Sequence, residues 1–209
     1  MRSILSLFIF LVTITSIKAQ TNDKAEIKKI FDQYKSAILS DKADVALNSI
    51  DNRTIDYYKS ILSDVKIADS NKISTMSLVD KITVLGIRAR ATKQEIIDMK
   101  GSDAFLFAIR KGMVGKNSVV NNSVGEITVY NNFAKGELLV QGKRTPVFFH
   151  FYKEIEGWKL NLTELFSLGN TSLKQMLQES GKPENEYLME ILSLLSGKTL
   201  GYEIWQPVQ

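Results

Sequence analysis

Apolar positions in the first part of the chain recur at helical spacing. They repeat every three or four positions over residues 24–39, which predicts an amphipathic helix with one buried stripe. The same spacing predicts helices over residues 41–48 and 54–65. Asp51 or Asn52 stands just before the third helix, where a short polar side chain can accept a hydrogen bond from a free backbone N–H.

The helical pattern continues toward the middle of the chain. An apolar stripe over residues 74–90 predicts a fourth helix, weakened at Gly86. Thr92 and Glu95 have the spacing of a capping box, in which each side chain satisfies a backbone N–H of the first turn. A fifth helix is therefore expected there, and Gly101 should end it.

After residue 117 the spacing becomes that of β-strands. Runs rich in β-branched and aromatic residues are separated by short segments of turn-forming residues. The runs cover residues 126–130, 137–141, 145–153 and 158–164. Parallel strands need a crossover of about a dozen residues or more, and these connections are too short to supply one. The runs should therefore form an antiparallel meander.

Helices return at the end of the chain. Asn170 or Thr171 is placed to cap a helix that Gly181 ends. Pro183 stands at the first turn of the last helix, where its missing N–H costs nothing. The aromatic tail, which carries Trp205, is expected to dock on the core.

Helices followed by an antiparallel meander are typical of an α+β fold. We predict N-terminal helices packed on a curved antiparallel sheet of four or more strands, with extra helices after the first helical unit and at the C-terminus. A chain of 209 residues with 44% hydrophobic content can bury one core. We therefore expect a single domain over residues 20–209, in which residues 170–209 form a C-terminal extension.

The first residues have the features of a secretory signal peptide. Arg2 is followed by an apolar run over residues 4–14, and Ala19 is a small residue at the expected cleavage position. The run is shorter than the roughly 20 apolar residues that span a bilayer, so an uncleaved anchor helix is the less favoured alternative. We expect residues 1–19 to be removed, and the mature chain, without a membrane span, to be secreted or periplasmic.

Composition argues against several classes of function. The signal peptide contains two of the 27 basic residues and none of the 23 acidic ones, and the remaining charges are interspersed. A nucleic-acid partner would instead require a concentrated basic face. With no cysteine and one histidine, a zinc site would need almost only carboxylates. No calcium-loop pattern is present either, so the sequence predicts no metal and no cofactor.

The opening helix AEIKKIFDQYKSAILSDK and the closing hairpin VFFHFYKEIEGWKLNL resemble the nuclear transport factor 2-like superfamily, also described as cystatin-like. Its members fold a bent sheet around a long N-terminal helix to form a cone. The resemblance covers residues 23–166 and suggests an exported bacterial member in which residues 74–114 are an added helical block. Members often pair through open sheet faces, which implies a homodimer unless the added block covers that face.

His150 is the single histidine of the chain and lies in the third strand run. Strand alternation puts Phe148 and Tyr152 on its face of the sheet and Phe149 and Phe151 on the other face. The resemblance implies possible chemistry on such a face. Ketosteroid isomerases and scytalone dehydratases of that superfamily use an Asp or His base with Tyr or acid donors inside the cavity.

If the His150 face lines the cone, His150 and Tyr152 are candidates for a base and a hydrogen-bond donor. Phe148, His150 and Tyr152 are then also candidate ligand-binding residues, and Tyr130 or Glu137 could reach the same space from neighbouring strands. Alternatively, both faces of the strand are covered and His150 is a hydrogen-bonded interior residue. The sequence favours this structural interpretation, because no acid at motif spacing accompanies the histidine.

Arg88 and Arg90 stand close together on the predicted fourth helix. An arginine offers a planar fork that can clamp an anionic ligand. Residues two positions apart, however, point to different faces of a helix. Surface salt bridges are therefore the favoured interpretation of this pair.

Three functions are compatible with these features. The favoured one is an exported, non-catalytic binding or interaction domain that holds an apolar small molecule or a protein partner, in the cone or on the helical surface. The second is a cavity enzyme of the isomerase or dehydratase type with His150 as general base. The third is a structural protein associated with the cell envelope.

Overall fold

A computed structural model describes the backbone of residues 2–114 and 116–208, and the side chains of residues 21–114 and 116–208. Its helices are α1 (Arg2–Leu39), α2 (Ala43–Leu47), α3 (Asn52–Ile67), α4 (Ser70–Ser74), α5 (Leu78–Arg90), α6 (Lys93–Asp98), α7 (Asp103–Arg110), α8 (Asn117–Val120), α9 (Thr163–Ser180) and α10 (Glu184–Ser196). Its strands are β1 (Asn122–Tyr130), β2 (Phe133–Val140), β3 (Lys143–Glu154) and β4 (Gly157–Asn161), and a 3₁₀ turn follows α10 at Tyr202–Trp205. The predicted α+β class is confirmed.

The N-terminal predictions depend on residues that this description covers only in part. The predicted signal peptide, residues 1–19, lies outside the residues whose side chains are described, so its cleavage stays a prediction. In the part of the chain that the structure describes, no helix has both the length and the apolar character that crossing a membrane requires.

The four strands form one curved sheet. Their order is β1-β2-β3-β4, and every neighbouring pair is antiparallel, which confirms the predicted meander. Asn131 and Gln141 adopt positive φ angles of 52° and 51° in the two tight turns that flank β2. The pairing of β1 with β2 shifts register between Val124 and Ile127. Such a bulge bends a strand, so it helps the sheet to curve around α1.

The long helix α1 packs against the inner face of the sheet. Phe31 of α1 and Phe149 of β3 lie with ring centroids 4.7 Å apart. Phe149 and Phe151 are buried, whereas Phe148, just before them in β3, is exposed. The buried cluster continues from α1 and the sheet through α5 and α10 to Trp205. Full burial of a large apolar side chain contributes about 1.5–3 kcal/mol, so this core determines which face of each strand points inward.

A buried polar cluster joins α3, β4 and α9. The Asp51 carboxylate accepts a hydrogen bond from the Thr54 backbone N–H at 3.0 Å, which confirms the predicted cap of α3. It also accepts one from the Asn161 side-chain amide at 2.8 Å. The Leu162 N–H donates to Thr54 Oγ1 at 2.9 Å, and the Glu164 N–H donates to Asn161 Oδ1 at 3.3 Å. These bonds fix the C-terminal end of β4 against the first turns of α3 and α9.

The predicted helix over residues 74–90 is wrong in extent. Helix α4 ends at Ser74, and Ser77 begins a new helix by accepting a hydrogen bond from the Asp80 N–H at 3.2 Å. The apolar periodicity did not reveal the break between α4 and α5. Met76 lies in this break and still packs against the core, so the apolar stripe continues through it. The capping box of Thr92 and Glu95 is confirmed at the start of α6.

The boundary between the sheet and the C-terminal helices also differs from the prediction. Strand β4 ends at Asn161 and α9 begins at Thr163, so the strand predicted over residues 158–164 is too long. Helix α9 runs through Asn170, and the caps predicted at Asn170 or Thr171 are therefore wrong. Asn170 serves another helix instead, because its Oδ1 accepts from the Leu78 N–H at 2.9 Å at the start of α5.

Candidate functional site

A cavity of about 200 Å³ lies between α1 and the inner face of the sheet. Helices α3 and α9 and the segment around α8 complete its walls. Most of its lining is apolar or aromatic. The lining residues are Phe31, Tyr34, Tyr58, Val114, Ser118, Val119, Asn122, Phe149, Leu160, Leu162, Leu165 and Phe166.

The local patterns of the chain place these side chains around one space. Phe31 and Tyr34 are three positions apart on α1, so both point from the helix toward the sheet. Phe149 and Leu160 come from the alternating inner positions of β3 and β4. The helix wall and the sheet wall of the cavity are thus both built from residues that regular secondary structure directs inward.

Two phenol groups are the principal polar side chains in the buried part of this cavity. Tyr34 and Tyr58 are buried, at 5% and 7% exposure. Among the described residues, neither hydroxyl takes part in a hydrogen bond, and neither is fully enclosed by protein atoms. Burial raises the pKa of Tyr58 to about 12 and also raises the pKa of Tyr34, whose phenol lies close enough to Tyr58 to be affected by it. Both groups are therefore neutral hydrogen-bond donors on residues that line the cavity.

A second cavity, of about 120 Å³, lies next to the first among α3, α5, α7 and α10. Tyr58 and Val114 line both cavities, so the two spaces are neighbours on either side of these residues. Apolar residues such as Ile82 and Leu192 form much of its wall, and the guanidinium of Arg90 reaches it from the last turn of α5.

The two arginines of α5 have different environments, and among the described residues neither makes the surface salt bridge that the sequence favours. Arg88 is buried at 7% exposure and donates four hydrogen bonds to backbone carbonyls. Arg90 is partly buried and donates to the carbonyl oxygens of Leu195 at 2.6 Å and Gly86 at 3.4 Å. Burial lowers the pKa of both guanidinium groups, that of Arg88 to about 10, so both remain cationic at neutral pH.

The candidate residues predicted around His150 lie on the opposite, outer face of the sheet. Phe148 and Tyr130 are exposed, at 41% and 54%. Tyr152 is covered by the guanidinium carbon of Arg53, 3.7 Å from its ring centroid. The structure thus brings His150 and Tyr152 onto one face, as the alternation predicts, but this face does not line the cavity beside α1.

The remaining predicted residue, Glu137, is also on the outer face. Its carboxylate lies 3.4 Å from Nε of Arg144, across the pair of strands β2 and β3. The carboxylate of Glu137 therefore pairs with Arg144. Among the described residues it makes no hydrogen bond to the imidazole of His150.

His150 occupies a half-covered position on the outer face. The edge of the Phe133 ring lies against the imidazole, with centroids 5.1 Å apart. Nδ1 is buried and lacks a hydrogen bond among the described residues, and it lies 3.8 Å from the Glu164 carboxylate. Burial and the charge of Lys135 lower the pKa of His150, against an opposite effect of Glu164. The ring is therefore a neutral base at pH 7, and any catalytic role for it stays a prediction.

Tyr34 and Tyr58 belong to the apolar helical stripes predicted over residues 24–39 and 54–65. Sequence reasoning expected a cavity but did not identify these two tyrosines as part of its lining. A signal was present, because each tyrosine stands within an apolar helical stripe where its hydroxyl needs either a partner or open space. Within the described residues, no group of three His, Cys, Asp or Glu side chains is arranged to hold a metal ion. No family model, curated protein or solved structure matches this chain.

Proposed function

We propose that this chain is a non-catalytic binding domain of the nuclear transport factor 2-like type, which holds an apolar small molecule in the cavity between α1 and the sheet. One observation carries the proposal: an apolar cavity of about 200 Å³ is lined by two tyrosines whose hydroxyls make no hydrogen bond among the described residues. An apolar wall with a few placed polar groups is the usual composition of a small-molecule site.

The size of the cavity limits the ligand. Sites for drug-sized molecules usually enclose about 300–1,000 Å³. A space of about 200 Å³ suits a smaller molecule, such as one with a fused pair of aromatic rings or a short acyl chain. The rings of Phe31 and Phe149 at its wall favour flat, aromatic contacts.

The phenols add a polar requirement to this apolar ligand. Tyr34 and Tyr58 remain protonated because burial raises the pKa of both, so each offers one O–H donor. A buried donor without an acceptor costs free energy, and a ligand carbonyl or ether oxygen would remove that cost. The preferred ligand is therefore apolar with one hydrogen-bond acceptor.

The test uses two neutral probes of similar size, 2-acetylnaphthalene and 2-ethylnaphthalene, which differ in the ketone acceptor. Binding to the full chain is followed by calorimetric titration. We expect 2-acetylnaphthalene to bind more tightly, by about 2- to 10-fold for one net hydrogen bond. Tyr58→Phe should reduce this difference without abolishing the binding of 2-ethylnaphthalene.

Two further variants locate the bound probe. Val119→Phe fills the cavity wall and should weaken both probes, whereas Phe148→Ala, on the exposed outer face, should leave both unchanged. Thermal unfolding of each variant verifies that it is folded. Failure of both probes to bind the folded wild-type chain, or equal weakening by Phe148→Ala, would refute the proposed site.

A further inference from the structure

The second cavity contains a positive charge that no acidic side chain balances. Among the described residues, no carboxylate oxygen lies within 4.0 Å of a nitrogen of the Arg90 guanidinium. Other basic side chains, such as Lys81 and Arg110, do have a carboxylate within this distance. A guanidinium has five N–H donors. Arg90 uses one in a short bond to Leu195 and another in a long bond to Gly86, which leaves donor groups available.

The environment of this charge is more apolar than that of an ordinary surface arginine. Ile82, Met113, Leu192 and Leu195 line the same cavity. The carbonyl of Leu195 belongs to the last turn of α10, whose partial negative charge compensates the guanidinium only in part. A cation that is partly removed from water gains most from a fully charged acceptor with two oxygens.

Gly86 lets the side chains of Met113 and Arg90 approach the backbone of α5 closely. A Cβ at Gly86 would lie 2.9 Å from the terminal methyl of Met113 and 3.5 Å from an Arg90 nitrogen. A side chain at position 86 would therefore displace Met113, which lines this cavity, next to the charged group.

We propose that the ligand of the inner cavity is a small monocarboxylate. Its carboxylate binds Arg90 in the second cavity and is the acceptor for Tyr58, which lines both cavities, while its apolar body passes Val114 into the space beside α1. This inference rests on the proposed binding function and adds the charge and the orientation of the ligand. Neither cavity alone reaches about 300 Å³, and the two together do, which brings the site into the usual range for a small-molecule ligand.

The test compares octanoate with 1-octanol, two probes with the same number of carbon atoms and different head groups. Each is titrated calorimetrically into the full chain at pH 7.5. A charge-assisted, two-oxygen contact with a partly buried arginine should make octanoate bind at least about 10-fold more tightly than 1-octanol. Arg90→Gln should remove this preference and leave the affinity for 1-octanol nearly unchanged, and Arg90→Lys should keep part of it.

Controls separate the head-group contact from charge and folding. Arg110→Gln removes the same charge from an exposed position on α7 and should leave the preference intact. Urea unfolding verifies that each variant is folded. Gly86→Ala should weaken octanoate more than 1-octanol, because the added methyl group lies next to the guanidinium.

The outcomes distinguish this inference from the proposed function. If 1-octanol binds as tightly as octanoate, or if Arg90→Gln retains the preference, the carboxylate assignment is overturned while a binding cavity remains. If neither these probes nor the neutral naphthalenes bind the folded chain, the proposed function and the inference are both overturned.

Discussion

The guanidinium of Arg88 joins three segments of the chain through backbone carbonyls. It donates to Asp64, Val65 and Ala68 at the end of α3, and to Ile204 in the C-terminal 3₁₀ turn. The Asp64 carbonyl also accepts from the Ala68 N–H, but among the described residues the carbonyls of Val65, Ala68 and Ile204 have Arg88 as their only hydrogen-bond donor. The last carbonyls of a helix lack partners within the helix, so Arg88 satisfies groups that would otherwise be buried without a hydrogen bond. Its charge therefore serves the fold, in contrast to the charge of Arg90.

Replacement of Arg88 by methionine should strongly destabilise the protein. The variant keeps most of the apolar volume but leaves buried carbonyls without donors, and each such loss costs about 1–3 kcal/mol. We expect the free energy of unfolding, measured in urea, to fall by more than about 3 kcal/mol.

Arg110→Met provides the matched control for this substitution. Arg110 is exposed and makes one ion pair with Asp44, at 3.2 Å, so its loss should change the free energy of unfolding by less than about 1 kcal/mol. Similar effects of the two substitutions would contradict the role assigned to Arg88.

His150 should titrate below the ordinary histidine value of about 6.5. Burial is the main cause of its lowered pKa, Lys135 adds to it, and Glu164 opposes it. Because this is the single histidine of the chain, its ring signals in a proton NMR titration need no assignment by mutation. We expect a midpoint below 6.5, and a still lower midpoint in Glu164→Gln, since that substitution removes the group that favours the charged ring.

The same lowered pKa predicts how stability depends on pH. Between the folded pKa and about 6.5 the unfolded chain binds the proton more readily than the folded chain does. This contribution of His150 to stability is therefore complete above about pH 6.5 and is lost as the pH falls toward the folded value. His150→Phe should make the unfolding free energy less dependent on pH in this window, and an NMR midpoint at or above 6.5 would contradict both expectations.

At the scale of elements, two glycines of the chain have opposite structural roles. Gly136 of β2 is buried, and a Cβ there would lie 2.6 Å from Val124 and 3.2 Å from the ring of Phe151. At Gly169 of α9 the nearest atom, from Val79, would lie at 3.5 Å, an ordinary contact. The first glycine lets the strands pack closely, whereas the second only adds flexibility to a helix.

Alanine substitutions at these glycines should therefore have opposite effects on stability. Gly136→Ala should lower the free energy of unfolding by about 1–3 kcal/mol, because the methyl group is forced into a filled core. Gly169→Ala should be neutral or should raise it by up to about 1 kcal/mol, as expected in a helix interior. Urea denaturation of both variants tests the pair, and a loss of stability at Gly169 equal to that at Gly136 would be inconsistent with the packing described.

The elements also show what the sequence could and could not predict. Strand alternation correctly placed Phe149 and His150 on opposite faces of the sheet, because this placement depends only on the two-residue period of a strand. It could not identify the face that α1 covers, since aromatic residues occur on both faces. The start of α9 was missed because Asn161 has two roles: it is the last residue of β4, and its Oδ1 accepts from the Glu164 N–H three positions later, in the first turn of α9. The strand pattern over residues 158–164 hid this capping position.

At the scale of the whole molecule, the predicted single domain depends on how the C-terminal extension is attached. Ile204 and Trp205 are buried at 7% and 5% exposure in the common core cluster. The Val208 N–H donates to the Lys66 carbonyl at 2.9 Å, and the Ile204 carbonyl accepts from Arg88. Helices α9 and α10 both pack against α5. These contacts should make the extension unfold together with the rest of the chain.

The two tryptophans of the chain report separately on these regions. Trp158 lies in β4 with its indole N–H bonded to Asp23 of α1, and Trp205 lies in the C-terminal 3₁₀ turn with its indole N–H near the sulfur of Met189. Trp205→Phe leaves a fluorophore only in the sheet, and Trp158→Phe leaves one only in the extension. Each variant is unfolded in urea and followed by both fluorescence and circular dichroism.

In each variant we expect the fluorescence and circular dichroism transitions to have the same midpoint, as two-state unfolding requires. The comparison is made within one variant, so the cost of the substitution itself affects both signals equally. An earlier fluorescence transition in Trp158→Phe would mean that the extension separates first, and residues 170–209 would then form a unit distinct from the sheet. Coincident midpoints would instead mean that Arg88, Ile204 and the shared core make helix, sheet and tail unfold as one cooperative body.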